Sequence, residues 1–485
     1  MTTESRIPPH TLRAAIKHGT MNRRAWLVTG ALVVFQIINF ADKAVIGLVA
    51  DPAMRELDLS AGEFGFIGSA FFFLFAIAAV GVGFLAGKVP TRWIILTMGI
   101  SWAVLQFPIL FGGGAAVLLV TRILLGAAEG PATPISLQHA HGWFPAKERG
   151  LPSSAVAIGS TLGPILAAPV LAWIIANPDL GWRWAFGFMG IVGLLWSACW
   201  LFIGRDGPYS HTSRRTAQCE NDGPPHEAGT ASAASVDAPP TAASIVDKAD
   251  LLQIVPIRRV LGSRMFIAAV LAGAGCFWAQ GFLTTWSPKY LASVVALSPE
   301  MIGLVSTFPW MLGAMALLVL GYASRFLMRR GVTVRWALGA LFGATLLCSG
   351  ICFLLLPQLT GPAAVVAVTL GAGLAMIYPL APTAVAFCVC SKQRAAVMAT
   401  LTGLASMGGV VAPAMVGLLM DNAGYVPAPK GAAATAAMTQ RLAEGMNSAF
   451  WMIGIYLIVV GLISVLLLNP DRTALRLQER FAYNG

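Results

Sequence analysis

Charge is what this sequence is short of. Asp, Glu, Lys and Arg make up 11% of its 485 residues, against about 25% in an ordinary soluble domain. A water-soluble fold of this length is therefore excluded. Metal-site spacing is missing as well: the seven cysteines (199, 219, 276, 348, 352, 388 and 390) never fall with histidines at ligand intervals, and Cys348 and Cys352 read as small packing residues on one helix face. No HExxH and no Walker pattern occurs, and Gly159–Pro164 lacks the following Lys-Ser/Thr of a phosphate loop. The basic, polar stretch up to Arg24 has no small-residue cleavage site after a short apolar core, which marks a cytoplasmic tail instead of a secretory signal.

What is present is apolar. Hydrophobic residues form 57% of the chain, in runs of about 20, each long enough to cross a ~30 Å hydrocarbon core. Strands of a β-barrel would alternate in polarity instead. The expected fold is an all-α polytopic membrane protein. Its spans are placed near 25–50, 64–84, 93–111, 115–137, 152–176 and 184–203, then 264–287, 301–322, 334–356, 362–388, 396–420 and 447–468. The net charge of +11 could suggest nucleic acid, but the positive residues gather in the tails and alternate loops. Outside that set stand Arg55, Arg183, Lys289, Lys430 and Arg441, with Lys43 and Arg122 inside helices. That is the positive-inside distribution, so both termini are expected in the cytoplasm and no nucleic-acid partner is expected.

Composition divides the chain into a tail (1–24), a six-helix bundle (25–204), a linker (205–262), a second bundle (263–470) and a tail (471–485). Within the linker, Asn221–Val246 is rich in Ala, Ser, Thr, Pro and Gly and is expected to be disordered. Leu251–Arg264 reads as a surface helix. The halves echo each other: Gly83–Arg92 after the second helix resembles Gly321–Arg330 after the eighth, and Gly163-Pro164 is answered by Ala412-Pro413. Two pseudo-symmetric six-helix bundles are the expected layout, the parallel-repeat plan of secondary transporters.

The chemistry concentrates in the first half. Arg122 and Glu129 lie seven residues apart, about two helical turns, on one face and roughly 10 Å from each other along the axis. Asp42 and Lys43 supply a second acid–base pair in the first helix. Charges in hydrocarbon cost several kcal/mol and therefore face a bundle interior or an aqueous cavity. Two carboxyls and two cations are what proton-coupled movement of an organic anion requires. A cation binds the anion through charge-assisted hydrogen bonds, and a carboxyl taken out of water favours its neutral form. A permanent Arg122–Glu129 bridge holding the fourth helix in place is the structural alternative.

Four stretches carry a resemblance: Asn39-Phe-Ala-Asp42-Lys43, Arg122–Pro131, Trp143–Gly150 and Gly181-Trp-Arg183, with support from Trp286-Ser-Pro-Lys-Tyr290-Leu. Together they resemble the major facilitator superfamily and, within it, the anion:cation symporters such as galactonate, glucarate, hexuronate and phthalate permeases. The resemblance implies Asp42 and Glu129 as proton-linked carboxyls and Arg122 as the main anion contact, with Lys43 where relatives carry arginine. Asn39 joins the anion end. Gln280, Tyr378, Thr402 and Ser406 are candidates for the other end of the cargo. Gly83, Lys88, Arg92, Gly163 and Pro164 are candidates for gating. Gly87 stands where the family has an aspartate, and Thr402 and Ser406 stand near positions where it often has asparagines. The expected cargo is therefore an aromatic or sparsely hydroxylated carboxylate. The implied protein is a monomeric symporter of the inner membrane, with no cofactor beyond the proton gradient. Efflux or anion exchange by the same machine is open from sequence, and a transporter-like receptor is the alternative from another class. His139 and His141 read as solvated loop residues without a role.

Overall fold

In a computed structural model, residues 9–85, 89–145, 148–210, 255–429, 432 and 434–482 are described. Twelve helices among them are long and apolar enough to cross a membrane: α1 (Arg23–Leu48), α2 (Ala61–Val82), α3 (Thr91–Leu110), α4 (Ala115–His141), α5 (Gly150–Ala176), α6 (Arg183–Ile203), α7 (Arg264–Thr285), α8 (Pro299–Arg329), α9 (Arg335–Gln358), α10 (Gly361–Ala386), α11 (Ala396–Asn422) and α12 (Ala436–Leu467). Large apolar side chains such as Leu195, Leu318 and Phe202 point outward, as a helix surface facing lipid tails requires. The chain is a multi-pass membrane protein.

Helix ends depart from the hydropathy reading where polar residues extend a helix beyond the apolar run. The first helix already runs from Pro9. α12 begins at Ala436, ahead of the expected 447, because Thr435 caps it by accepting from the Met438 N–H at 3.3 Å. An i,i+4 contact of 2.9 Å between Gln440 and Glu444 supports that same extension. Of the linker's expected surface helix, Ile257–Leu261 is helical. The segment expected to be disordered lies outside the described residues.

Lipid offers helices no hydrophobic reason to associate, so close backbone approach must supply the packing. In the first half α1 packs on α5, α2 on α4 and α3 on α6; in the second, α7 packs on α11, α8 on α10 and α9 on α12. Each pairing repeats six helices later, which is the twofold repeat expected from the sequence echoes. Gly126 and Gly130 of α4 show how close the approach is: a Cβ there would sit 1.8 Å from the Phe71 carbonyl oxygen and 2.2 Å from that of Phe75.

The halves meet through α1 with α7, α2 with α11 and α5 with α8. Among the described residues, polar contacts across this seam gather toward the face opposite the termini. Lys289 pairs with Asp51, Arg55 donates to the Ala432 carbonyl at 3.3 Å, and Asp421 accepts three hydrogen bonds from the start of α2. One contact lies deeper, the Ala414 N–H on the Ser69 hydroxyl at 2.9 Å. That face is shut.

Candidate functional site

Two helices break at matching places. α4 consists of Ala115–Glu129 and Ala132–His141, parted at Gly130-Pro131. α10 consists of Gly361–Ala375 and Leu380–Ala386, parted just ahead of Pro379. Proline has no N–H for the ladder. Interrupted helices in corresponding positions of two repeats point to a transporter's binding site. Glu129 ends one segment, and Tyr378 lies in the other break.

Lys43 and Glu129 meet at the first break, with Asp42 next along α1, and all four intramembrane charges are buried. Lys43 pairs with Glu129 at 2.5 Å and also donates to Asn39 Oδ1 at 2.7 Å. Its ammonium lies 4.3 Å from the centre of the Phe40 ring, a cation–π contact. Phe40 in turn meets Trp310 of the second half edge-on at 6.1 Å, which places the cluster beside the seam. Gln106 of α3 donates to Asp42 Oδ1 at 2.6 Å. Asp42 and Glu129 each keep one buried oxygen with no partner.

Arg122 is different. It is 3% exposed, and its guanidinium carbon lies 5.1 Å from the centre of the Phe186 ring. Among the described residues it has no ion pair and no hydrogen bond, the one such charge of the four. The permanent Arg122–Glu129 bridge weighed from sequence does not form, because Lys43 holds Glu129 instead.

The chain matches the Major Facilitator Superfamily over residues 32–386. It belongs to that superfamily. It is 28% identical over 316 residues to a probable galactarate/D-glucarate transporter of Escherichia coli K12, covering 64% of this chain and 67% of the relative. It is also 23% identical over 397 residues to a hexuronate transporter of Bacillus subtilis 168, covering 80% and 86%. Among solved structures it resembles a bacterial homologue of the human lysosomal transporter Spinster, with a TM-score of 0.70 at 17% identity, covering 94% of this chain and 98% of that one. A D-xylose–proton symporter gives a TM-score of 0.65 at 13% identity over 92% and 98%. This superfamily member is a membrane transporter and not an enzyme.

The transporter's second half presents neutral groups. Tyr378 donates to Thr402 at 2.9 Å, Thr402 to the Met398 carbonyl at 3.0 Å and Ser406 to the Gly403 carbonyl at 2.8 Å. Gln280 of α7 has no hydrogen bond to another described side chain.

The gating candidates do not form one group. Lys88 lies outside the described residues. Gly83 lies near the end of the helix Ala61–Leu85. Arg92 is 3.9 Å from Asp206, just beyond the end of α6. Gly163 fits against α1, where a Cβ would stand 2.5 Å from the Ile37 carbonyl oxygen. Pro164 is buried inside an unbroken α5. His139 corrects the sequence reading, for it is buried, 2.7 Å from the Thr91 hydroxyl. α4 continues to His141, which carries His139 into the packed end of that helix. Sequence reasoning also missed Gln106, a lone amide in an apolar helix, and Asp421. The intramembrane position of Gln106 was the available signal.

Proposed function

We propose that this transporter carries out proton-coupled uptake of a small organic carboxylate by alternating access, in a bacterial inner membrane with both termini in the cytoplasm. The observation that carries the reading is Arg122, unpaired and buried two turns before Glu129 on α4, together with a Lys43–Glu129 pair and a half-satisfied Asp42. An unpaired charge out of water is costly, and a carboxylate cargo offsets that cost by pairing bidentately with the guanidinium. A proton arriving between Asp42 and Glu129 satisfies both orphan oxygens and removes the negative charge that holds Lys43. The freed ammonium then joins Arg122 on the anion. Binding of proton and anion thereby favour each other, and coupling free energies of ~1–3 kcal/mol give fivefold effects or more.

The cargo's far end meets the neutral half. There the hydroxyl hydrogens of Tyr378, Thr402 and Ser406 are already donated within the protein, which leaves few donors for a polyhydroxylated chain. That supports an aromatic or sparsely hydroxylated carboxylate. The relatives' names, galactarate/D-glucarate and hexuronate transporters, support an organic anion and make sugar acids the comparison set. Proteoliposomes containing only this protein, given an inward proton gradient and a panel of labelled benzoates, hexonates, hexuronates and hexarates, test both levels. Accumulation of a carboxylate that vanishes when the gradient is collapsed is expected. Accumulation indifferent to the gradient would overturn proton coupling, and transport of sugar acids alone would overturn the cargo assignment.

A further inference from the structure

α2 opens with its own capping box. The Ser60 hydroxyl accepts from the Glu63 N–H at 3.2 Å, and Glu63 Oε2 accepts from the Ser60 N–H at 2.9 Å, the reciprocal pattern that satisfies two orphan donors of a helix start. The next two orphans, the N–H groups of Ala61 and Gly62, are satisfied from the other half of the molecule. Asp421 Oδ1 accepts from Ala61 at 3.1 Å, and Oδ2 accepts from Gly62 at 2.8 Å and from the Ser60 hydroxyl at 2.9 Å. All three bonds cross the seam. Asp421 lies in the last turn of α11, where its own helix dipole disfavours negative charge. At the N-terminus of α2 the same charge is favoured. The carboxylate is thus placed at a disadvantage to its own helix and to the advantage of a helix in the opposite half.

We infer that Asp421 is a conformational clasp: it holds the face opposite the termini shut by capping α2 from α11, and it lets go as a unit when the halves part. The capping box is what makes the clasp releasable. When Asp421 withdraws, Ser60 and Glu63 still cap α2, and water reaches the Ala61 and Gly62 N–H groups, so the helix need not fray. The Lys289–Asp51 pair across the same face is a weaker fastening. Asp51 also pairs with Arg55 of its own half at 2.9 Å, so losing Lys289 leaves it partnered.

Ser69, buried in the seam one step deeper than the clasp, provides the reporter. With Ser69→Cys as background, alkylation of position 69 by maleimide is followed by peptide mass spectrometry on the detergent-purified full chain. Asp421→Asn removes the charge. Gly62→Ala leaves the charge in place but sets a Cβ 2.5 Å from Asp421 Oδ2. Each should raise the alkylation rate roughly tenfold, the scale of losing a charged cap. Glu63→Ala, which weakens only α2's own box, should leave the rate within about twofold. Unchanged rates in both Asp421→Asn and Gly62→Ala would overturn the inference. So would a Glu63→Ala effect as large as theirs, since fraying of α2 would then explain the result. The readout reports conformation and not transport, so it stands or falls apart from the cargo and proton assignments.

Discussion

The two halves share one architecture and divide the chemistry. In the first, α1, α3 and α4 supply the buried Asp42, Lys43, Gln106, Arg122 and Glu129, with Lys43 on Glu129 at a helix break and Gln106 on Asp42. In the second, the equivalent break in α10, residues 376–379, holds Tyr378 on Thr402 and contains no acidic or basic residue. The same pairing of helices supports both. The backbone repeat therefore does not decide what is bound. A duplicated frame can keep one wall ionic and leave the other free to vary with the uncharged part of a cargo.

Substitutions can break that contrast or sharpen it. The largest effect belongs to Glu129→Gln, which removes the proposed proton site and the partner of Lys43: accumulation driven by a proton gradient should be abolished, while exchange of labelled for unlabelled carboxylate across the same membrane persists. Accumulation at the native level would place Glu129 outside the coupling. Next comes Arg122→Ala. Losing the proposed charged partner of the anion should raise the half-saturating carboxylate concentration about 100-fold in uptake assays. Arg122→Lys should recover part of the loss, because it restores the charge and not the fork.

Gln106→Leu is intermediate. It strips Asp42 of its 2.6 Å donor and leaves a buried acceptor unsatisfied, which costs ~1–3 kcal/mol. An uptake rate lower by about tenfold, with a shifted pH profile, is expected; a native profile would show that Asp42 does not take part. The smallest change is on the neutral wall. Tyr378→Phe removes one hydrogen bond, worth about 1 kcal/mol, and should alter the half-saturating concentration only a few-fold while changing the ranking among aromatic and hydroxylated acids. A loss as large as that of Arg122→Ala would erase the contrast between the halves.

Twelve spans, the split into halves and the charged cluster were legible because each depends on composition along one helix. Apolar runs mark spans, and an ionisable residue inside one marks a site. Partner choice was not legible. Lys43 reaching Glu129, in place of Arg122 doing so, depends on how α1 docks against α4, and nothing in the spacing of residues 122 and 129 reports that. The breaks at Gly130-Pro131 and ahead of Pro379 could have been read from proline alone, but proline also occurs within unbroken α5, so the residue type is ambiguous without its neighbours. Asp421 was hidden for a different reason: two of its three partners are backbone N–H groups more than 300 positions away, and backbone groups leave no mark in a sequence.

The near-touching of Gly126 and Gly130 with the carbonyls of Phe71 and Phe75 has a mechanical consequence. With no side chain between them, α4 cannot slip along α2, so the two move as one rod. Arg122 and Glu129 sit on that rod, and Asp421 grips its end. Any tilt that frees the grip therefore carries Arg122, the proposed anion contact, and Glu129, the proposed proton carboxyl, by the same angle.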